Sequence, residues 1–430
     1  MTRAIVISTD CHASAAPQQS LGTAIAPQDA GEGVTLISGF LHSARAYTEY
    51  FDPEYRAAFE SHLDMVEQAA SSLMIPDIGG KEDVLRRQVE EREEFIHEHI
   101  GETGRPAGDW DPERRIKELE ADGVVGDVIF PNGGPVLGLQ GAGNELKYAA
   151  ERAYNRWLAD FCAVNPGRHA GVGVLSVDDV DRAVETVRWL REDLGLFGGI
   201  VLPNDAAGHA YSDERYDPLW AACAEYEMVV NIHGSPEGMP QYPARGFADI
   251  WAHEIGFYCH RPFWWLLWSG VFERNPTLKF AIVEQGAAWI PEMLHQWDER
   301  VKHAKTSDVG KELRLLPSEY FARQCFANWA IENSSSTLED IERGDATVIA
   351  ATRHEVELRY EIGVDSMVWG NDFPHAESTW PHSMALLERV VDGVPKDEVA
   401  KMVGLNAARC YGFDLDVLAP IAERVGPDIL

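Results

Sequence analysis

Positive charge is scarce in this chain: 37 Lys and Arg stand against 70 Asp and Glu, a formal net charge of −33 over 430 residues. That balance argues against a nucleic-acid backbone or an anionic membrane surface as partner, because both are held through clustered cations. Cysteine is sparse as well. Cys11, Cys162, Cys223, Cys259, Cys325 and Cys410 stand far apart with no C-x-x-C pair, so a secreted disulfide framework is not expected. They read as isolated thiols of a cytoplasmic protein. No run of about 18 uncharged apolar residues occurs, and the first residues lack a basic stretch followed by a long apolar core. A membrane span or a signal peptide is therefore not expected. Internal repeats are lacking too.

What is present is ordinary globular material, 45% hydrophobic and 25% charged, enough to bury a large core. Short β-branched runs recur between helical patterns: AIVIST near residue 4, VVGDVIF near 124, GVGVL near 171, GGIVLP near 198, MVVNIH near 228, KFAIVE near 279 and DSMVWG near 365. Their apolar residues are mostly continuous rather than alternating, which suits strands buried on both faces. Val180, Ala183, Val184, Val187 and Leu190 keep one helical face, and Gly195 is placed to end that helix. A second helix is expected from about Asp217-Pro218. Strand then helix, repeated, predicts a parallel sheet, either open or closed as a (β/α)8 TIM barrel. A weaker segment from Arg323 to Trp329 supplies the strand still missing from the count of eight.

The pattern breaks once. Residues 17–40 are rich in Pro, Gly, Ala and Gln, and residues 41–110 look helical and charged. We expect one barrel over 1–430, with 17–110 as a long, mainly helical insertion after the first strand. Such an excursion is either a lid over the barrel mouth or a surface loop.

Polar residues cluster where strands end. In STDCH, Asp10 and His12 lie two apart and share a face of an extended chain, as half a metal site or as a pair closing a turn. His233 follows MVVNI, Glu284 ends FAIVE, and Asp372 and His375 follow MVWGN. In a barrel all of these fall on the one rim that carries active sites. Two imidazoles and two carboxylates, Asp10, His12, His233 and Asp372, suit one divalent ion, Zn, Mn or Fe.

With STDCH, the stretches WDPERRIKELEADGVVGDVIFPN, YDPLWAACAEYEMVVNIHGSP, NPTLKFAIVEQGAAWIPEMLHQWDER and WGNDFPHAESTWP resemble the amidohydrolase superfamily. They match its amidohydrolase 2, or aminocarboxymuconate-semialdehyde decarboxylase-like, branch. GLNAARCYGF is similar to that family's closing helix. The resemblance covers most of the chain after residue 110 plus the first strand, and leaves the insertion unexplained. It implies a (β/α)8 barrel with one divalent metal, Asp10 and His12 matching the first-strand ligands, His233 the fifth-strand ligand and Asp372 the last-strand carboxylate. Two positions depart from the family pattern. Leu202-Pro203-Asn204 stands where many members carry a bridging Lys or Glu, which favours a mononuclear centre, and Glu284 stands where many carry His.

A metal-bound water beside Asp372 as general base suits attack on an acyl carbon. The leading expectation is a hydrolase of amides, esters or thioesters, including an acyl-CoA of a bulky hydrophobic acid, with Glu284 and His375 assisting. Non-oxidative decarboxylation of an aromatic or muconate-type acid is the alternative, and a metal-free binding protein the third. FYCHRPFWWLLWSGVF gathers Trp264, Trp265 and Trp268 on one helix, as a pocket wall, a subunit interface or plain core. A partly hydrophobic small-molecule substrate and a homodimer follow as expectations.

Overall fold

The computed structural model describes residues 3–16, 44–70, 94, 98, 107–132, 139, 142–203, 208–234, 247–304, 310–329, 342–343, 347–375 and 378–428. Among them eight short parallel strands alternate with helices. The first strand is Ile7–Ala13, the second Gly126–Pro131. The third is broken at Val172 into His169–Gly171 and Gly173–Val174. Its first half pairs with the second strand and its other half with the fourth, Ile200–Val201. The fifth to eighth are Val230–Ile232, Phe280–Ile282, Cys325–Asn328 and Met367–Val368, each paired in register with its predecessor. Closure comes from Thr9 N–H donating to the Trp369 carbonyl (2.8 Å) and from a parallel bridge between Cys11 and Phe373. The fold is a (β/α)8 barrel, and Cys325–Asn328 is the strand expected within 323–329.

Alternate strand residues separate into two apolar layers, as a two-residue side-chain period requires. Val128, Phe130, Ala170, Val172, Ala281, Val283, Phe326 and Val368 pack together with Tyr411 and Phe413 of the closing segment. Ile129, Val230, Ile232, Phe280, Ile282, Ala327 and Met367 pack against the helices. Helix Val180–Glu192 shows why those helices form: Asp179 caps it by accepting from Arg182 N–H, and Ala183, Val187 and Leu190 are its buried face. Beyond it Gly195 takes φ +69, a left-handed turn that glycine adopts without steric penalty. Within helix Phe247–Trp268, Phe263 is buried, and Trp264, Trp265 and Trp268 are partly buried against the core.

Of the expected insertion 17–110, helix Pro53–Ala70 and short turns at Thr48–Tyr50 and Ala107–Asp109 are described; 17–43 and nearly all of 71–106 lie outside the described residues. Asn204 lies outside them as well. No helix among the described residues is long and apolar enough to cross a membrane.

Candidate metal centre

The first strand shifts register against the second between Ser8 and Cys11, a bulge that sets Asp10 and His12 at its carboxyl end. Both are buried. His12 Nδ1 sits 3.3 Å from the Pro131 carbonyl, an acceptor that would keep the proton on Nδ1 once Nε2 takes a metal, and Nε2 is turned into the barrel mouth. There Nε2 lies 3.3 Å from Asp372 Oδ1 and 3.7 Å from Asp10 Oδ1. His233, just past the fifth strand, aims Nε2 at Asp10 Oδ1 (3.2 Å). Its Nδ1 faces two acceptors, Glu284 Oε2 at 3.0 Å and the Gly234 carbonyl at 3.1 Å. Two imidazole Nε2 atoms and two carboxylates thus converge.

Two overlapping groups, Asp10–His12–His233 and His12–Asp372–His375, each hold three ligand atoms within 4.8 Å of one another. Asp10 Oδ2 and Asp372 Oδ2 are buried with no hydrogen-bond partner among the described residues. Buried polar atoms left in that condition cost roughly 1–3 kcal/mol each. A cation among them removes the cost and the mutual repulsion of the oxygens, so the donor set fits a divalent ion.

The electrostatics agree. Burial, with the neighbouring His375 next, pushes His12 down to about 3, the neutral form a ligand needs. Burial also pushes Asp372 up, but His375 and His12 outweigh it and hold the carboxyl well below its ordinary range. Asp10 is raised by burial. Burial disfavours charge on His233, yet Glu284 and Asp10 outweigh it and hold its pKa well above the ordinary value. A proton and a metal are alternatives at that Nε2. Burial pushes Glu284 up to about 7, against the pull of His233.

The backbone aims these groups. Asp372 and Glu284 adopt φ of +55 and +56, a left-handed conformation rare outside glycine and frequent at functional sites. Asp372 N–H donates to the Asp10 carbonyl at 2.8 Å, tying the end of the last strand to the first. His375 stacks on His12 with ring centroids 4.0 Å apart, and its Nδ1 is 2.9 Å from Asp372 Oδ1. A Cβ built on Gly234 would stand 2.5 Å from Glu284 Oε2, so only glycine leaves room for that carboxylate.

All six residues picked from the sequence, Asp10, His12, His233, Glu284, Asp372 and His375, therefore meet. Three others escaped. Asn132, one residue past the second strand, places Oδ1 3.4 Å from His375 Nε2 and donates from Nδ2 to Asp109 (3.3 Å). It follows VIFP as His233 follows VVNI, so the strand-end rule could have found it. Arg115 is fully buried behind His12, on the helix face that also buries Glu118 and Leu119, and its local sequence, PERRIKELEA, is charged throughout and does not mark it. Glu355 accepts from the backbone N–H groups of Ala287 and Ala288 and steadies the loop after Glu284; nothing in its local sequence marks it.

Comparison with known proteins follows the same line. A family model described as amidohydrolase matches residues 9–413. The chain is 26% identical over 184 residues to 2-amino-3-carboxymuconate-6-semialdehyde decarboxylase of Dictyostelium discoideum, covering 42% of this chain. The match spans only about half (49%) of that relative's length. Among solved structures, 5-carboxyvanillate decarboxylase LigW from Sphingomonas paucimobilis superposes with a TM-score of 0.58 at 20% identity, over 95% of this chain and 99% of the other. Dihydroxybenzoic acid decarboxylase from Polaromonas sp. JS666, with bound manganese and the inhibitor 2-nitroresorcinol, gives 0.52 at 19% identity, over 75% and 94%.

These findings correct one expectation. Acyl-bond hydrolysis, including thioester cleavage, was the leading reading because a metal, water and Asp372 suffice for it. The relatives and structural neighbours named above are decarboxylases, and the hydrolase reading is withdrawn. The misreading has a physical source: one ligand set serves both reactions, and the difference lies in what the pocket holds against it. With residues 9–413 matched, the chain belongs to the amidohydrolase family.

Proposed function

We propose that the protein is a metal-dependent, non-oxidative decarboxylase of a hydroxylated aromatic carboxylic acid. The convergence of Asp10, His12, His233 and Asp372 at one buried place carries the metal dependence, and the choice of decarboxylation over hydrolysis rests on the decarboxylase relatives. The decarboxylase relatives, and the manganese in one of them, support the same reading. Asp10, His12, His233 and Asp372 would hold the ion. When bound, it would supply a Lewis acid for substrate oxygens.

The residues supply the proton chemistry. Asp372, kept ionised by His375 and His12, takes the proton of the phenolic hydroxyl. It returns that proton to the ring carbon bearing the carboxylate. The carbon–carboxylate bond then breaks, its electron pair goes back to the ring, carbon dioxide leaves, and solvent reprotonates the phenolate oxygen. His375, stacked on His12 and 2.9 Å from Asp372, fixes the carboxylate that carries the proton. Glu284 holds His233 with Nε2 forward rather than joining the reaction.

The test is carbon dioxide release over a panel of hydroxybenzoic acids and 5-carboxyvanillate, with Mn(II) present and after chelation. We expect carbon dioxide and the decarboxylated phenol in equal amounts, lost with chelator and restored by metal. A metal-replete protein that releases no carbon dioxide from any member of the panel would overturn the proposal.

A further inference from the structure

Arg115 is a buried cation that the reaction does not use, and it lies behind a proposed ligand. Its side chain is fully buried in helix Pro112–Ala121. Nε donates to Asp127 Oδ2 at 2.7 Å, and Asp127 Oδ1 in turn meets His169 Nδ1 at 2.6 Å. Nη1 donates to two carbonyls, those of His12 at 2.8 Å and Gly108 at 2.9 Å. The guanidinium also sits over the Phe373 ring, 5.1 Å from its centroid.

The His12 carbonyl has a reason to need that donor. In a parallel ladder a residue donates to the residue before its partner and accepts from the residue after it. His12 N–H donates to the Phe373 carbonyl at 2.7 Å, so its own carbonyl would next accept from His375 N–H. That N–H instead turns back to the Asp372 carbonyl, 2.9 Å away. The turn that brings Asp372 and His375 to the site thus removes the ladder bond that would register His12 against them. Arg115 Nη1 stands in its place.

We infer that Arg115 is a positioning residue whose guanidinium replaces a missing strand–strand hydrogen bond and so sets His12 against Asp372 for metal binding. The inference rests on the reading that Asp10, His12, His233 and Asp372 hold the ion. Arg115→Lys keeps the charge facing Asp127 but cannot span Asp127 and the His12 carbonyl at once. Asp127→Asn is the comparison: it disturbs the same buried cluster while leaving Arg115 on His12.

Mn(II) affinity is read by electron paramagnetic resonance, with far-ultraviolet circular dichroism and melting on the same samples. Arg115→Lys should fold and bind Mn(II) about 10- to 100-fold more weakly, the usual cost of losing a group that orients a ligand. Asp127→Asn should melt earlier yet stay within about threefold of the parent in affinity, because the His12 contact survives. Should Arg115→Lys not fold, the neutral pair Arg115→Gln with Asp127→Asn carries the same comparison against Asp127→Asn alone. Unchanged affinity in a folded Arg115 variant, or equal losses in the Arg115 and Asp127 variants, would make the cluster merely structural and overturn the inference. Parent protein that binds no Mn(II) would instead overturn the metal reading beneath it.

Discussion

Gly234→Ala tests whether the Glu284–His233 contact governs the metal centre, because it touches neither side chain covalently. The new Cβ would lie 2.5 Å from Glu284 Oε2, 3.0 Å from its Cδ and 3.2 Å from its carbonyl. Relief to ordinary contact needs the carboxylate to retreat by about 1 Å. The His233 Nδ1 to Oε2 separation, 3.0 Å in the parent, then opens to roughly 4 Å, past hydrogen-bond range. Losing a charge-assisted bond of this kind costs about 1.5–3 kcal/mol. Spent on ligand orientation, that is a ~10- to 100-fold loss of metal affinity. Mn(II) titration of the folded variant, followed by electron paramagnetic resonance, reads it directly. Glu284→Gln, which keeps an acceptor but drops the charge, should fall between variant and parent with one equivalent still bound. Affinity within twofold of the parent in folded Gly234→Ala would refute the reasoning, and complete loss of metal in Glu284→Gln would make Glu284 a ligand instead.

Further expectations concern the proton carrier, acid stability and the ion itself. Asp372→Asn should lose at least ~100-fold in turnover while circular dichroism stays native, since Asn tolerates the left-handed φ of that position; near-parent activity would remove Asp372 from the chemistry. Burial pushes Asp127 up, but Arg115 and His169 outweigh it and hold it at about 2, below its unfolded value of roughly 3.9. Its contribution is therefore present above about pH 4 and is lost as pH falls toward 2, on the order of 2 kcal/mol by linkage. Urea unfolding at stepped pH should show the parent losing that much more than Asp127→Asn across this window, and parallel acid limbs would count against the assignment. Chelation should lower the melting temperature, and Mn(II) at a hundred times its Kd should return about 2.7 kcal/mol of stability; a melt indifferent to chelator and metal would contradict a native-state ion site.

Much of the barrel was legible because its strands are short apolar runs buried on both faces, and such runs stand out between amphipathic helices. The site was legible for a related reason: a barrel rim collects whatever follows its strands, so Asp10, His12, His233, Glu284, Asp372 and His375 could be placed together before any distance was known. What stayed hidden depends on contacts between segments remote in sequence. Arg115 earns its place through a carbonyl 103 residues away, and only the turn at Asp372 explains why that carbonyl lacks a strand partner. The glycine at 234 looks like any loop glycine until Glu284, fifty residues on, is seen to occupy its missing side chain. The reaction was misread because ligand types specify a metal and not a bond to be broken.

The most direct measurement is anomalous scattering at the manganese edge from crystals grown with Mn(II). The account predicts one peak within bonding distance of carboxylate oxygens of Asp10 and Asp372 and of Nε2 of His12 and His233. Absence of a peak at that point, or a peak held by other residues with these four paired only to one another, would contradict it.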